Sequence, residues 1–456
     1  MANHRDFDAV DHLPAEEYDE KNTRRLLRKV DLNLIPLLSL LYFLSFLDRS
    51  NIGNARLANL ERDLHMSGLN YNNALAIFFP FYVAAEIPSN LMMQATRPSR
   101  WIPSIMVVWG LMCIIMGFVK SYAGLMAVRA ALGLAEGGLF PGITFYLTLW
   151  YCRHETGLRM SLFFSAATLA GAFGGLLARA IMLIDGKGGL ASWQWIFVIE
   201  GIATVIIATV AFFVMNDLPE TARFLTEHEK MEVVRRLHED HGPSDEKFSM
   251  KYIWDAFKDW KIWAYCLATV GIFTPLYCIS LFLPTIVKDL GYTNNKAQLM
   301  TVPPYVFACA CCICNGFVAD KIRQRGLLIA GFLALALTGA IILAASPNAH
   351  VKYFGTFFLA GGIYTCVPAI CAWNGNNIQQ RYKRSVGMAL QGAMGNLGGI
   401  ISAYMYLPKD GPQYHRGHGA LCGVIGVACV TSLFLTWWFR KENKRAGMGG
   451  GFRYTV

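Results

Sequence analysis

Twelve long apolar stretches recur along the 456-residue chain, at about 32–53, 71–94, 101–118, 123–150, 157–181, 194–215, 262–287, 297–319, 327–345, 353–377, 386–406 and 418–439. Each approaches the ~20 residues an α-helix needs to cross a hydrocarbon core. The chain therefore reads as an all-α integral membrane protein with twelve transmembrane helices. Only 16% of its residues are charged, against about a quarter in a soluble domain. The polar first 31 residues lack an apolar core followed by a small-residue cleavage site, so the first stretch is expected to act as an uncleaved signal anchor.

The net charge of +10 does not point to nucleic acid. Its Lys and Arg concentrate in the tails and in alternate connections, the pattern of the positive-inside rule, which predicts that both termini are cytoplasmic. The partner this charge implies is the lipid bilayer. Twelve cysteines lie mostly in apolar stretches, where Cys behaves as a small hydrophobe. Cys309, Cys311, Cys312 and Cys314 cluster in the eighth stretch without a His or acid beside them, so no metal site is expected. No cofactor motif occurs either.

The stretches divide six and six. The expected organisation is an N-terminal tail (1–31), a first six-helix bundle (32–215), a linker (216–261), a second bundle (262–439) and a C-terminal tail (440–456), with linker and both tails cytoplasmic. The linker carries helical charge patterning over 227–241, read as a solvated tether in preference to a regulatory element. Equivalent helices match: Ala170-Gly171-Ala172-Phe173-Gly174-Gly175 in the fifth and Gly392-Ala393-Met394-Gly395-Asn396-Leu397-Gly398-Gly399 in the eleventh. Small residues at that density let helices approach closely. A six-plus-six fold with inverted repeats resembles the alternating-access architecture of the major facilitator type, with substrate held near the midplane.

Charges inside the spans narrow the function, because at membrane depth they are costly and face a bundle interior or cavity. Asp48 and Arg49 are adjacent in the first span, and Arg129 and Glu136 lie seven apart in the fourth. At 1.5 Å rise per residue, Asp48 and Arg49 lie ~24 Å from the inner end and Arg129 ~10 Å from the outer surface, a similar level. One cavity is expected to hold all four. Tyr42, Ser45 and Arg49 share a stripe, and Gly133, Gly137, Gly138, Pro141 and Gly142 suggest a bend near Glu136. An arginine binds a carboxylate through a planar fork, and an acid in a partly dry cavity loads and releases protons. Exchange of partners between Asp48–Arg49 and Arg129–Glu136 gives a physical basis for proton–organic-anion symport. The competing reading is a pair of structural salt bridges, disfavoured because desolvation offsets much of a buried pair's attraction.

The remaining charges are weaker signals. Glu86, before Ile87-Pro88 near the inner end of its span, and Glu200 read as structural partners. Arg179, near the outer end of the fifth span, reads equally as a candidate gate or a surface anchor. In the second half the polar residues are neutral: Tyr277, Ser280, Asn315, Tyr364, Trp373, Asn374, Asn376, Asn377, Gln391 and Asn396. Neutral amides and rings orient a ligand without a fixed charge. Proton coupling is therefore assigned to Asp48 and Glu136. Substrate binding is assigned to Arg49, Arg129, Tyr42, Ser45, Tyr277, Tyr364, Asn374, Asn377 and Gln391.

Leu47-Asp48-Arg49-Ser50-Asn51-Ile52-Gly53-Asn54-Ala55 resembles the first-span signature of the anion:cation symporter branch of the major facilitator superfamily. So does the run from Arg129 through Glu136 to Pro141-Gly142, ending in Leu149-Trp150-Tyr151. Asp185-Gly186-Lys187-Gly188-Gly189-Leu190, Trp193 to Gly201, Asp217-Leu218-Pro219-Glu220-Thr221 and Trp373-Asn374-Gly375-Asn376-Asn377 resemble the fungal allantoate-permease group. The resemblance covers most of residues 25–440. It implies a monomeric, proton-coupled importer of a small carboxylate such as nicotinate, pantothenate, allantoate or biotin, in a plasma membrane. In that branch the acids matching Asp48 and Glu136 are associated with protonation, and the arginines matching Arg49 and Arg129 with charge relay or substrate. Arg179 and the reduced loop Arg97-Pro98-Ser99-Arg100 depart from the pattern. An exporter of an acidic metabolite and a non-transporting nutrient sensor are the alternatives; nothing in the soluble segments resembles an enzyme site.

Overall fold

The computed structural model describes residues 20–152, 154–241, 250–291, 294–322, 324–410, 413–446 and 453–456, and regular structure within them is helical throughout. The first half holds α1 (Glu20–Leu57), α2 (Asn70–Ala76, resuming as Phe78–Ala95), α3 (Pro98–Met116), α4 (Tyr122–Glu136, resuming as Leu139–Thr148), α5 (Thr156–Met182) and α6 (Ser192–Val214). The second holds α7 (Trp260–Asp289), α8 (Asn294–Ile322), α9 (Gly326–Ala345), α10 (Ala349–Asn376), α11 (Arg381–Ala403) and α12 (His415–Ala446).

Eleven of these are long and apolar enough to cross a membrane. The twelfth, α11, has 23 residues, but Lys383, Arg384, Gln391 and Asn396 dilute its apolar character. Its polar residues face the protein interior, where Gln391 and Asn396 are buried. Helices also overrun the apolar stretches: α1 begins at Glu20, and its early Leu26 and Val30 are buried. Part of the segment expected to be an N-terminal tail is thus the packed first turns of α1.

The most extensive contacts between the halves are α5 on α8 and α2 on α11, with α5 on α10 and α1 on α7 adding to them. Their small residues permit the approach. A methyl at Gly316 would crowd Ser161 and one at Gly399 would overlap the Phe79 ring. The expected bend in α4 is a break across Gly137 and Gly138. A side chain at Gly133 or Gly137 would meet the α2 carbonyls of Phe78 or Tyr82, so the two backbones touch, and this contact fixes Glu136 against α2. On the periphery, α6 exposes Ile202, Ile206, Val210 and Phe213, and α12 exposes Val427, Val430, Phe434 and Trp437. Each set recurs at helical spacing, the stripe expected where a helix faces lipid.

The linker helix Glu227–His241 is more than a tether. Lys29 Nζ meets Glu229 at 2.6 Å, and Arg236 pairs with Glu155 at the start of α5. Burial is the largest single influence and pulls the Glu229 carboxyl up, but the Lys29 ammonium and the Thr226 amide and hydroxyl together hold it below its ordinary value. A second element caps the same end. The Val456 carbonyl accepts from the Arg325 amide (2.6 Å), and the Thr455 carbonyl accepts from Trp373 Nε1 (2.8 Å). Thr455 N donates to Asn377 Oδ1 (2.8 Å), and the Tyr454 ring stacks on Phe439.

Candidate functional site

Consecutive residues on a helix diverge by about 100°, and this separates Asp48 from Arg49. Arg49 turns to the boundary between the halves. Its Nη2 donates to Glu136 Oε1 at 2.5 Å and its Nη1 to the Tyr277 hydroxyl at 2.9 Å. The guanidinium lies over Phe78, Tyr82 and Tyr277, 4.9–5.7 Å from the ring centroids. Glu136 also accepts from Ser45 Oγ at 2.5 Å. The Tyr277 hydroxyl donates to Asn396 Oδ1, and Asn396 Nδ2 donates to Glu86 Oε1 at 3.1 Å.

A polar chain, Ser45–Glu136–Arg49–Tyr277–Asn396–Glu86, therefore crosses from one half to the other, supplied by α1, α4, α7, α11 and α2. Every member is buried. Glu136 Oε2, Glu86 Oε2 and Arg49 Nε have no partner among the described residues. Dry, under-satisfied charge of this kind is costly to fold. It leaves one guanidinium edge and two carboxylate oxygens available to bind something else.

The expected exchange of partners between charges of one helix finds no support in the geometry, because those pairs do not form. Arg129 and Glu136, two turns apart, are too distant along the axis to meet. Arg129 Nε instead donates to the Ala74 carbonyl at 3.2 Å, its guanidinium covers Phe78, and its buried Nη1 has no partner among the described residues. Asp48 faces the other way, into the first half, where Trp109 Nε1 donates to it at 2.6 Å and Thr204 Oγ1 at 3.4 Å. The four charges thus occupy three environments rather than one cavity.

Other assigned residues spread similarly. Tyr42 packs among Phe46, Phe140, Phe163 and Phe164 beside the chain. Tyr364 exchanges a 3.0 Å hydrogen bond with Ser280 and packs on Phe46 and Tyr305. Gln391 accepts from Asn374 and donates to Thr269, both at 2.8 Å, a bridge between α10, α11 and α7. Asn377 lies outside the central group, bonded to Tyr265 (2.8 Å) and to Thr455 at the linker end. The neutral-amide pattern at 373–377 is therefore largely an anchor for the C-terminal segment. Arg179 is exposed and forms no salt bridge among the described residues.

Two residues assigned only supporting parts prove central: Glu86, read as structural near one end of its span, and Asn396, one polar residue among several. The available signal for Glu86 was an acid in a span with no cation of its own, which demands a partner from another helix.

Both ends of the central chain are closed. At the linker end Leu158 N donates to Asp320 Oδ2 (2.7 Å), and Asp320 pairs with Arg325 (2.9 Å). At the opposite end Asn72 Nδ2 donates to the Ala403 carbonyl (2.6 Å) and the Tyr404 hydroxyl to Asn73 (2.7 Å). A small cavity bordered by Ser50, Asn54, Ser280, Thr301 and Tyr305 lies beyond Arg49 on that side.

Comparison with known proteins adds to this geometry. The sequence profile of the Major Facilitator Superfamily matches residues 38–403. The chain is 37% identical over 439 residues to the MFS-type transporter cnsO of Penicillium expansum, covering 93% of this chain and 85% of that one. It is 34% identical over 428 residues to the high-affinity nicotinic acid transporter of Saccharomyces cerevisiae, covering 92% and 79%. Among solved structures it resembles the proton:xylose symporter XylE with a TM-score of 0.64 at 14% identity, covering 89% of this chain and 95% of that one.

Proposed function

This chain belongs to the Major Facilitator Superfamily and is a multi-pass membrane transporter, and from that premise we propose that it carries a small organic anion together with protons by alternating access. The observation that supports this reading best is the Arg49–Glu136 pair, buried at the boundary of the halves and held to the second half only by neutral groups. A substrate carboxylate and Glu136 compete for one guanidinium. Protonating Glu136 removes its charge and frees the fork for substrate; deprotonation reclaims Arg49 and expels the anion. Coupling thus follows from one cation and two carboxylates that cannot both hold it.

The finer assignments belong to the same proposal. Glu136 and Asp48 carry protons, Arg49 binds the substrate carboxylate, and Arg129, with its orphaned Nη1, supplies a second positive site. The aromatic walls of Phe78, Tyr82 and Tyr277 suit a vitamin-like or nitrogen-source carboxylate with a flat apolar body. A relative named for nicotinic acid agrees with that class. The division at 216–261, a monomeric state, cytoplasmic termini, a plasma-membrane location and a place in the anion:cation symporter branch complete the reading.

Proteoliposomes provide the test. Outside acidification is expected to drive accumulation of a nicotinate-like carboxylate above equilibrium. Uptake indifferent to the pH gradient overturns proton coupling, and stimulation by inside acid assigns export instead. Counterflow separates either from a sensor that binds without transport.

A further inference from the structure

A second carboxyl pair lies apart from the Arg49 site, inside the first half between α1, α3 and α6. Asp48 and Asn51 are one turn apart on α1; Glu200 and Thr204 are one turn apart on α6. They meet as two rungs: Thr204 donates to Asp48, and Asn51 donates to Glu200. The two acids stand diagonally across this ladder, one turn apart in level. Trp109 of α3 donates to the far side of Asp48 at 2.6 Å.

The other titratable groups around the pair are few. Cys113 of α3 and Glu136 of α4 are the other titratable groups that act on Asp48. No lysine, arginine or histidine lies within salt-bridge distance of Asp48 or Glu200 among the described residues. Asp48 is 4% exposed, Glu200 2% and Asn51 0%.

Two neighbouring carboxylates in a dry, cation-free site are strongly disfavoured from both being ionised. An independent observation agrees: Glu200 Oε1 and Asn51 Oδ1 are buried acceptors with no donor among the described residues. The site is short of donors, and a proton is the ligand that supplies one.

We propose that Asp48 and Glu200 form a carboxyl–carboxylate pair that binds one shared proton between α1 and α6, with Glu200 as the second half of the proton site. The O–H of one acid donates to the carboxylate of the other, and Trp109, Thr204 and Asn51 hold the remaining negative charge. The pair titrates as a unit. Its part in transport rests on the proton-coupled reading above; its chemistry does not. Because α1 also carries Arg49 on another face, proton loss here leaves two like charges between α1 and α6 and pushes apart the helices that position the substrate site.

Infrared difference spectroscopy of the purified full-length protein against its variants tests this through the protonated-carboxyl C=O stretch. Asp48→Asn and Glu200→Gln are each expected to remove the same single band, and the double variant to remove nothing more. Glu200→Asp should keep a band at shifted frequency, and Trp109→Phe should also shift it, so the test survives if one variant fails to fold. In liposomes Glu200→Gln is expected to displace the pH midpoint of uptake by about one unit, tenfold in proton affinity. An unchanged spectrum in Glu200→Gln, or a separate band lost with each acid, overturns the pair. If wild-type uptake ignores the pH gradient while the shared band behaves as stated, symport fails and the pair stands.

Discussion

Arg49→Ala is expected to abolish carboxylate uptake while the protein still reaches the membrane. Arg49 is bonded at once to Glu136 of the first half and Tyr277 of the second, so it sits where the halves meet. Truncating one partner of a buried charge pair costs ~3–5 kcal/mol of stability. The substrate carboxylate loses a pairing of about 2–5 kcal/mol, which at about 1.4 kcal/mol per factor of ten is ~10–10⁴-fold in affinity. The stability loss comes largely from the buried, unpaired negative charge left on Glu136. Pairing Arg49→Ala with Glu136→Gln should therefore recover thermal stability without recovering uptake. Arg49→Lys keeps the charge but not the fork, and should fall between. Uptake by Arg49→Ala within about threefold of wild type, at equal expression, would remove Arg49 from the substrate site.

Glu136→Gln carries the second large effect, and it separates binding from coupling. Glutamine still accepts from Ser45 but is permanently neutral, so Arg49 is released as though Glu136 were always protonated. Counterflow exchange should persist, while accumulation driven by outside acid falls to the equilibrium level. A carboxylate-bearing substrate should bind more tightly, because its competitor for the guanidinium is gone. Accumulation at the wild-type ratio in this variant would refute the role given to Glu136. A variant that neither exchanges nor accumulates yet retains its melting temperature would assign Glu136 to substrate positioning instead.

Much of the fold was legible because the bilayer enforces it. Apolar runs near spanning length have one solution, and the small residues of α5 and α11 marked the helices that join the halves. What the sequence hid was direction. Asp48 and Arg49 are neighbours in the chain, and their equal depth invited one cavity; the 3.6-residue period turns them about 100° apart, to different faces of α1. Arg129 and Glu136 share a face but not a level, so their spacing implied a pair that the axial rise forbids. Glu86 was missed because its partner, Asn396, is 310 residues away, and no local pattern announces a contact between halves. Asn377 erred the other way, since the segment it holds, Thr455, lies at the far end of the chain.

The seam between α5 and α8 carries its own reporter. Cys312 Sγ lies 3.5 Å from the Ser161 carbonyl, fully shielded, while Cys309, Cys311 and Cys314 on the same helix are partly or fully exposed. In the alternating-access reading, rocking the halves apart at the linker end is expected to part α5 from α8 and uncover the Cys312 thiol. This native cysteine would then act as a shutter clock: its alkylation rate, corrected for the other cysteines, would count the fraction of time spent open to that side.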